Sequence, residues 1–157
     1  MTIALERPVG TDPTLLVTPE VADRLTRRIV ADHPEISPET ALRIVGQAAG
    51  FIAASGRQPG QSLAPSNLVD YGWHAFILHT VDYAQFCEQV VGRFVHHVPT
   101  AADDDQVPGG PQAAGQRTVA AITAAGYTVD PDLWPDVADC NQCYDGCTDS
   151  PNSGGKC

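Results

Sequence analysis

Apolar positions recur at helical spacing through most of the first hundred residues, and the breaks between them carry cap and proline chemistry. Thr18-Pro19-Glu20 opens the first segment. It offers a hydroxyl at the N-cap, a proline where a missing N–H does no harm, and an acid at the positive end of the dipole. Val21, Leu25, Ile29 and Val30 follow on one face, and Pro34 closes the segment. Ser37-Pro38-Glu39 repeats the opening; Ala41, Ile44, Val45, Ala48 and Ile52 form the next stripe, with Gly56 as the expected C-terminal cap. Residues 57–65 read as a loop. Ser66 predicts the cap of a third helix reaching about His79, and Thr80 that of a fourth running from about Asp82 to Val91, ended by Gly92.

The pattern thins after residue 100. The segment 101–115, rich in Asp, Gly and Pro, reads as an acidic linker. An Ala-rich stretch over 116–127, anchored by Val119 and Ile122, predicts a helix that docks on the others. Residues 128–157 read as an Asp- and Cys-rich tail, and residues 1–14 as a flexible N-terminus. Alternation typical of a strand is confined to Tyr127-Thr128-Val129. The expected fold class is therefore all-α: a small helical bundle over 15–100, followed by an acidic Cys-rich tail that is disordered or ordered by a metal.

Charge sharpens this division. The 157 residues carry nine Lys plus Arg against nineteen Asp plus Glu, a net charge of −10. Residues 101–157 hold nine of the acids, all Asp, and two of the bases, so the excess lies in the part with least apolar pattern. A chain so acidic lacks the basic face that nucleic acid or an anionic membrane surface requires. No apolar run approaches the roughly 20 residues of a membrane span. Glu6 and Arg7 interrupt what would be the apolar stretch of an export signal, which predicts a cytoplasmic protein. Gly109-Gly110-Pro111 lacks the lysine of a phosphate-binding loop, and no serine sits in a Gly-x-Ser-x-Gly elbow.

Candidate chemistry gathers in Asp70-Tyr71-Gly72-Trp73-His74 and in His96-His97. Asp70 and His74 are four apart, one above the other on a helical face. Such a carboxylate can orient a metal-bound or catalytic imidazole, or both groups can be ligands; the plainer alternative is a buried His satisfied by its neighbour. His79 falls on another face, and it and His33 read as residues of helix ends. His96 and His97, being adjacent, point to opposite sides, so one of them can reach His74 if the chain folds back after Gly92. Asp70, His74 and His97 would then supply donors suited to Zn²⁺ or a non-haem iron. Cys87 shares a stripe with Tyr83 and Phe86, where a thiol usually behaves as a small apolar group, with ligation as the alternative.

The order Val69-Asp70-x-x-Trp73-His74, Tyr83-x-x-Phe86-Cys87 and Gly92-x-Phe94-x-x-His97-x-Pro99 resembles the bacterial relatives of the glycine-rich domain-containing proteins. The resemblance covers about residues 15–100. It implies a small helical domain with Asp70, Trp73, His74, Tyr83, Cys87 and His97 as signature positions, and no established activity. The glycine-rich region of the larger members is missing here.

Four of the five cysteines fall at Cys140, Cys143, Cys147 and Cys157, among Asn, Asp, Gly and Ser. A segment with so little apolar surface orders only through a cross-link or an ion. Thiolates at this spacing can close on one tetrahedral Zn²⁺; redox-sensitive thiols or disulfides, and a tail left unordered, are the alternatives. These features predict a small metal-binding (Zn) or protein-interaction module with an unknown protein partner. Two other readings follow from the same residues: a metal-dependent enzyme using the Asp/His/His cluster, and a substrate of peptide-modifying enzymes acting on the Cys-rich end.

Overall fold

A computed structural model of the chain describes residues 10–58, 60–61, 63–97 and 109–135. The described residues form five helices and no β-sheet: α1 (Pro19–Asp32), α2 (Pro38–Arg57), α3 (Asn67–Leu78), α4 (Thr80–Phe86) and α5 (Gly110–Ala124). The all-α architecture is as the sequence predicts. A π-helical turn (Cys87–Val91) extends α4, and short 3₁₀ turns occupy Pro13–Leu16 and Pro131–Leu133. Among the described residues no helix is long and apolar enough to cross a membrane.

The starts follow the cap chemistry. Thr18, Ser37 and Ser66 each accept from the backbone N–H three residues on, at Val21, Thr40 and Val69. The fourth helix departs from the expectation. Its cap is His79, without a side-chain cap bond, and Thr80 is already helical. The Nδ1 of His79 instead meets the carbonyl of Ala75 at 2.9 Å, so this imidazole closes α3.

The α2 helix is the centre of the fold. Every residue from 44 to 54 is buried, not only one stripe, because α1, α3, α5 and the Pro13–Leu16 turn pack around it. Apart from Gln47 and Phe51, Ala and Gly make up the rest of this buried stretch and let neighbours approach. At Gly72 α3 comes close against α2: an added Cβ would lie 2.9 Å from the Cβ of Ala48 and from the Cγ2 of Ile44, and 3.0 Å from the carbonyl oxygen of Ile44. Trp73, on the same stretch of α3, is thereby pressed edge-on to Phe51 at 4.8 Å between ring centroids.

Order extends further at both ends of the described chain than composition predicts. Thr11, placed by sequence in a flexible N-terminus, forms one parallel bridge with Tyr127, with bonds of 2.8 Å to Gly126 and 3.0 Å from Thr128. The fifth helix starts at Gly110, not at Gln116, because Pro111 serves as a first-turn residue instead of a breaker. Beyond α5, Leu133 and Trp134 are core residues rather than tail. Gln47 on α2 holds them: its Oε1 accepts from Trp134 Nε1 (2.9 Å) and Asp130 N (3.2 Å), and its Nε2 donates to Thr128 O (3.1 Å). Arg43 adds ion pairs to Asp130 and Asp132 at 2.6 and 2.9 Å. The aspartates that made this stretch read as loop are thus partners of α2. Cys140, Cys143, Cys147, Cys157 and Pro99 lie outside the described residues, as does most of the expected linker.

Candidate functional site

The candidate site lies on the solvent side of α3. Ser66 starts that helix, accepting from Val69 N and donating to Leu133 O at 2.6 Å, so its first turn is tied to the core on both sides. With Val69, Gly72, Trp73 and Phe76 buried, the helical period leaves Asp70 and His74 on the outer face, one turn apart. The π turn after α4 then ends at Gly92, whose φ of +83° only glycine adopts easily. Gly92 reverses the chain, and residues 93–97 return across α3.

His97 comes to rest between Trp73 and Asp70. Its Nε2 lies 3.1 Å from Asp70 Oδ1, and its ring centroid is 4.4 Å from that of Trp73. The ring of His74 stands perpendicular to it at 5.7 Å. A carboxylate only accepts, so in the neutral ring Nε2 carries the proton and Nδ1 the lone pair. His96 points away and packs on Phe94 at 4.8 Å. His97 is therefore the one of the two adjacent histidines that joins the cluster.

A second group of polar side chains meets the same helix face. A cleft of about 280 Å³ between α1 and α3 is lined by Asp32, His33, Asp70, Tyr71 and His74 over an apolar floor of Ile29 and Ala75. His33 stacks on Tyr71, with centroids 3.8 Å apart and 18° between planes. Asp32 is held by Arg28 at 2.7 Å. Sequence reasoning left His33 and Tyr71 out of the site. They come from separate helices, and no spacing within either helix signals that the two rings meet.

Residues 14–130 match the model of the UCP032817-like family. The chain belongs to that family. This corrects the resemblance to the glycine-rich domain-containing proteins, which the Asp-x-x-Trp-His and Tyr-x-x-Phe-Cys motifs had carried. Motifs so short, built of helix-core aromatics, fit more than one helical family. No curated protein and no solved structure matches the chain. The UCP032817-like model spans all five helices and the Tyr127–Asp130 segment, so Asp70, His74 and His97 lie inside the family's region.

The geometry also revises the ligand set. Among the described residues no three His, Cys, Asp or Glu side chains are placed to hold one metal ion. Asp70 and His97 are bonded to one another, which leaves Asp70 as the group that orients an imidazole instead of a third donor. Cys87 is a buried free thiol at the start of the π turn, part of the core. Two imidazoles, His74 and His97, remain facing one another at the surface of this UCP032817-like chain.

Proposed function

We propose that this protein binds a divalent transition metal, Zn²⁺ foremost, through an exchangeable site whose nitrogens come from His74 and His97. The Asp70–His97 bond carries the reading. A carboxylate on the distal ring nitrogen fixes the tautomer and raises the basicity of the other nitrogen, the arrangement commonly found behind metal-bound histidines. The 5.7 Å between the rings of His74 and His97 supports it further. Two imidazoles sharing a tetrahedral ion at Zn–N distances of about 2.0–2.1 Å hold their centroids about 5 Å apart, close to the separation of this pair. Two protein nitrogens leave the remaining positions to water or a small ligand, so binding is weak and reversible, not structural.

Zn²⁺ titration of the full chain by calorimetry tests this reading. Replacing Cys140, Cys143, Cys147 and Cys157 with Ser separates the tail, which is a distinct proposed thiolate site. In that background the protein should retain one weak site, lost on His74→Ala with His97→Ala. Equal binding with and without the two histidines would overturn the assignment.

A further inference from the structure

We propose that Tyr83 is a positioning residue for His97, acting through a single buried hydroxyl on both the ring beneath His97 and the backbone that carries it. This rests on the metal-site reading above for its consequence but not for its geometry. Tyr83 lies on α4 and is 1% exposed. Its hydroxyl accepts from Trp73 Nε1 at 3.0 Å and donates to the carbonyl of Val95. Trp73 is the platform on which the His97 ring rests, and Val95 is two residues before His97 in the returning strand of chain. One oxygen therefore fixes the height of His97 over α3 and its advance toward Asp70.

The surroundings keep that oxygen in its role. Burial pushes the phenol of Tyr83 up, so at neutral pH it remains a donor to Val95. Phe76 and Phe94 meet the ring edge-on at 5.3 and 5.2 Å, which limits its rotation. Between Gly92 and His97 the chain has no helical bonds of its own, and the Tyr83–Val95 bond anchors it in the interior. Without the hydroxyl, a buried indole N–H and a buried carbonyl lose their partner together, and relaxation of the 93–97 segment is the route by which either regains one.

Tyr83→Phe in the full chain tests this, read in two arms. In the metal-free protein, NMR should show the His97 ring protons losing the ring-current displacement that Trp73 imposes. In the Zn²⁺ titration, affinity should fall about tenfold or more, the range seen for groups that orient a ligand from behind. Thr118→Val, which removes a buried hydroxyl bonded to Ala64 and Ala114 far from the site, is the control for lost stability alone and should leave both readouts in place. A measurement on the unaltered protein needs no variant: the Tyr83 hydroxyl proton should exchange slowly and show through-space contacts to Trp73 and Val95. Unchanged His97 resonances in a folded Tyr83→Phe, or absence of that proton, would overturn the positioning role. If the unaltered protein bound no Zn²⁺ while the His97 resonances still moved, the metal reading would fall and the positioning role would stand.

Discussion

Asp70 and His97 are 27 residues apart in the chain and meet at 3.1 Å, with the imidazole 21% and the carboxylate 41% exposed. Between them the chain completes α3, runs through α4 and the π turn, and reverses at Gly92. Because the pair is open to solvent, its contribution to folding is small, while its effect on which ring nitrogen is free is large. That asymmetry separates a stability role from a ligand-orienting role.

Asp70→Asn should therefore barely alter the melting temperature, since a side-chain pair this open to solvent contributes at most about 1 kcal/mol. The same change should weaken Zn²⁺ binding about 10- to 100-fold, because the amide no longer fixes the His97 tautomer. Thermal melts and a competition titration on the same variant check the two halves. A large drop in melting temperature with unchanged affinity would reverse the assignment.

Gly72→Ala should destabilise the protein by about 1–3 kcal/mol, the usual cost of overpacking. The new methyl would face the Cβ of Ala48, the Cγ2 of the fully buried, β-branched Ile44 and the Ile44 carbonyl, none of which can swing aside freely. Urea unfolding measures it. A neutral result would mean that α2 and α3 separate easily.

Gln47→Ala should cost about 2–3 kcal/mol and loosen the Thr128–Trp134 segment. It removes the partner of Trp134 Nε1, Asp130 N and the Thr128 carbonyl at one stroke, at a position 4% exposed. Tryptophan fluorescence should report Trp134 entering water before global unfolding.

Alkaline pH should destabilise the protein through Tyr83. Burial holds its folded-state phenol above the unfolded value of about 10. Its contribution is complete below about pH 10 and is lost as pH rises toward the folded value, because the unfolded chain gives up the proton first. Tyr83→Phe, less stable at neutral pH, should show a flatter decline above pH 10 in urea midpoints.

The helices were legible because their signals are local. Thr18, Ser37 and Ser66 announce their starts within three residues, and each caps as expected. The interior of α2 was only half legible. Its apolar stripe was visible, but that Gly46, Gln47 and Gly50 are also buried depends on neighbours from distant parts of the chain. Leu133 and Trp134 were hidden by flanking aspartates, whose partners, Arg43 and Gln47, lie more than eighty residues earlier. At the site, the Asp70–His74 spacing was visible, but not that His97 would occupy Asp70, since that depends on a π turn no spacing rule anticipates. The motif resemblance points to the wrong family for a related reason: aromatic and Cys positions on α3 and α4 are core positions, which helical proteins of different families can share.

The proposed site requires that His74 and His97 share an ion while Asp70 holds the second from behind. Histidine-selective NMR during Zn²⁺ titration of the full chain, with the four tail cysteines replaced by Ser, addresses it most directly. The ring nitrogens of His74 and His97 should shift together, with Nδ1 of His97 the bound atom and Nε2 keeping its proton toward Asp70. Saturation with neither ring shifted, or binding through Nε2 of His97 with the Asp70 contact broken, would contradict it.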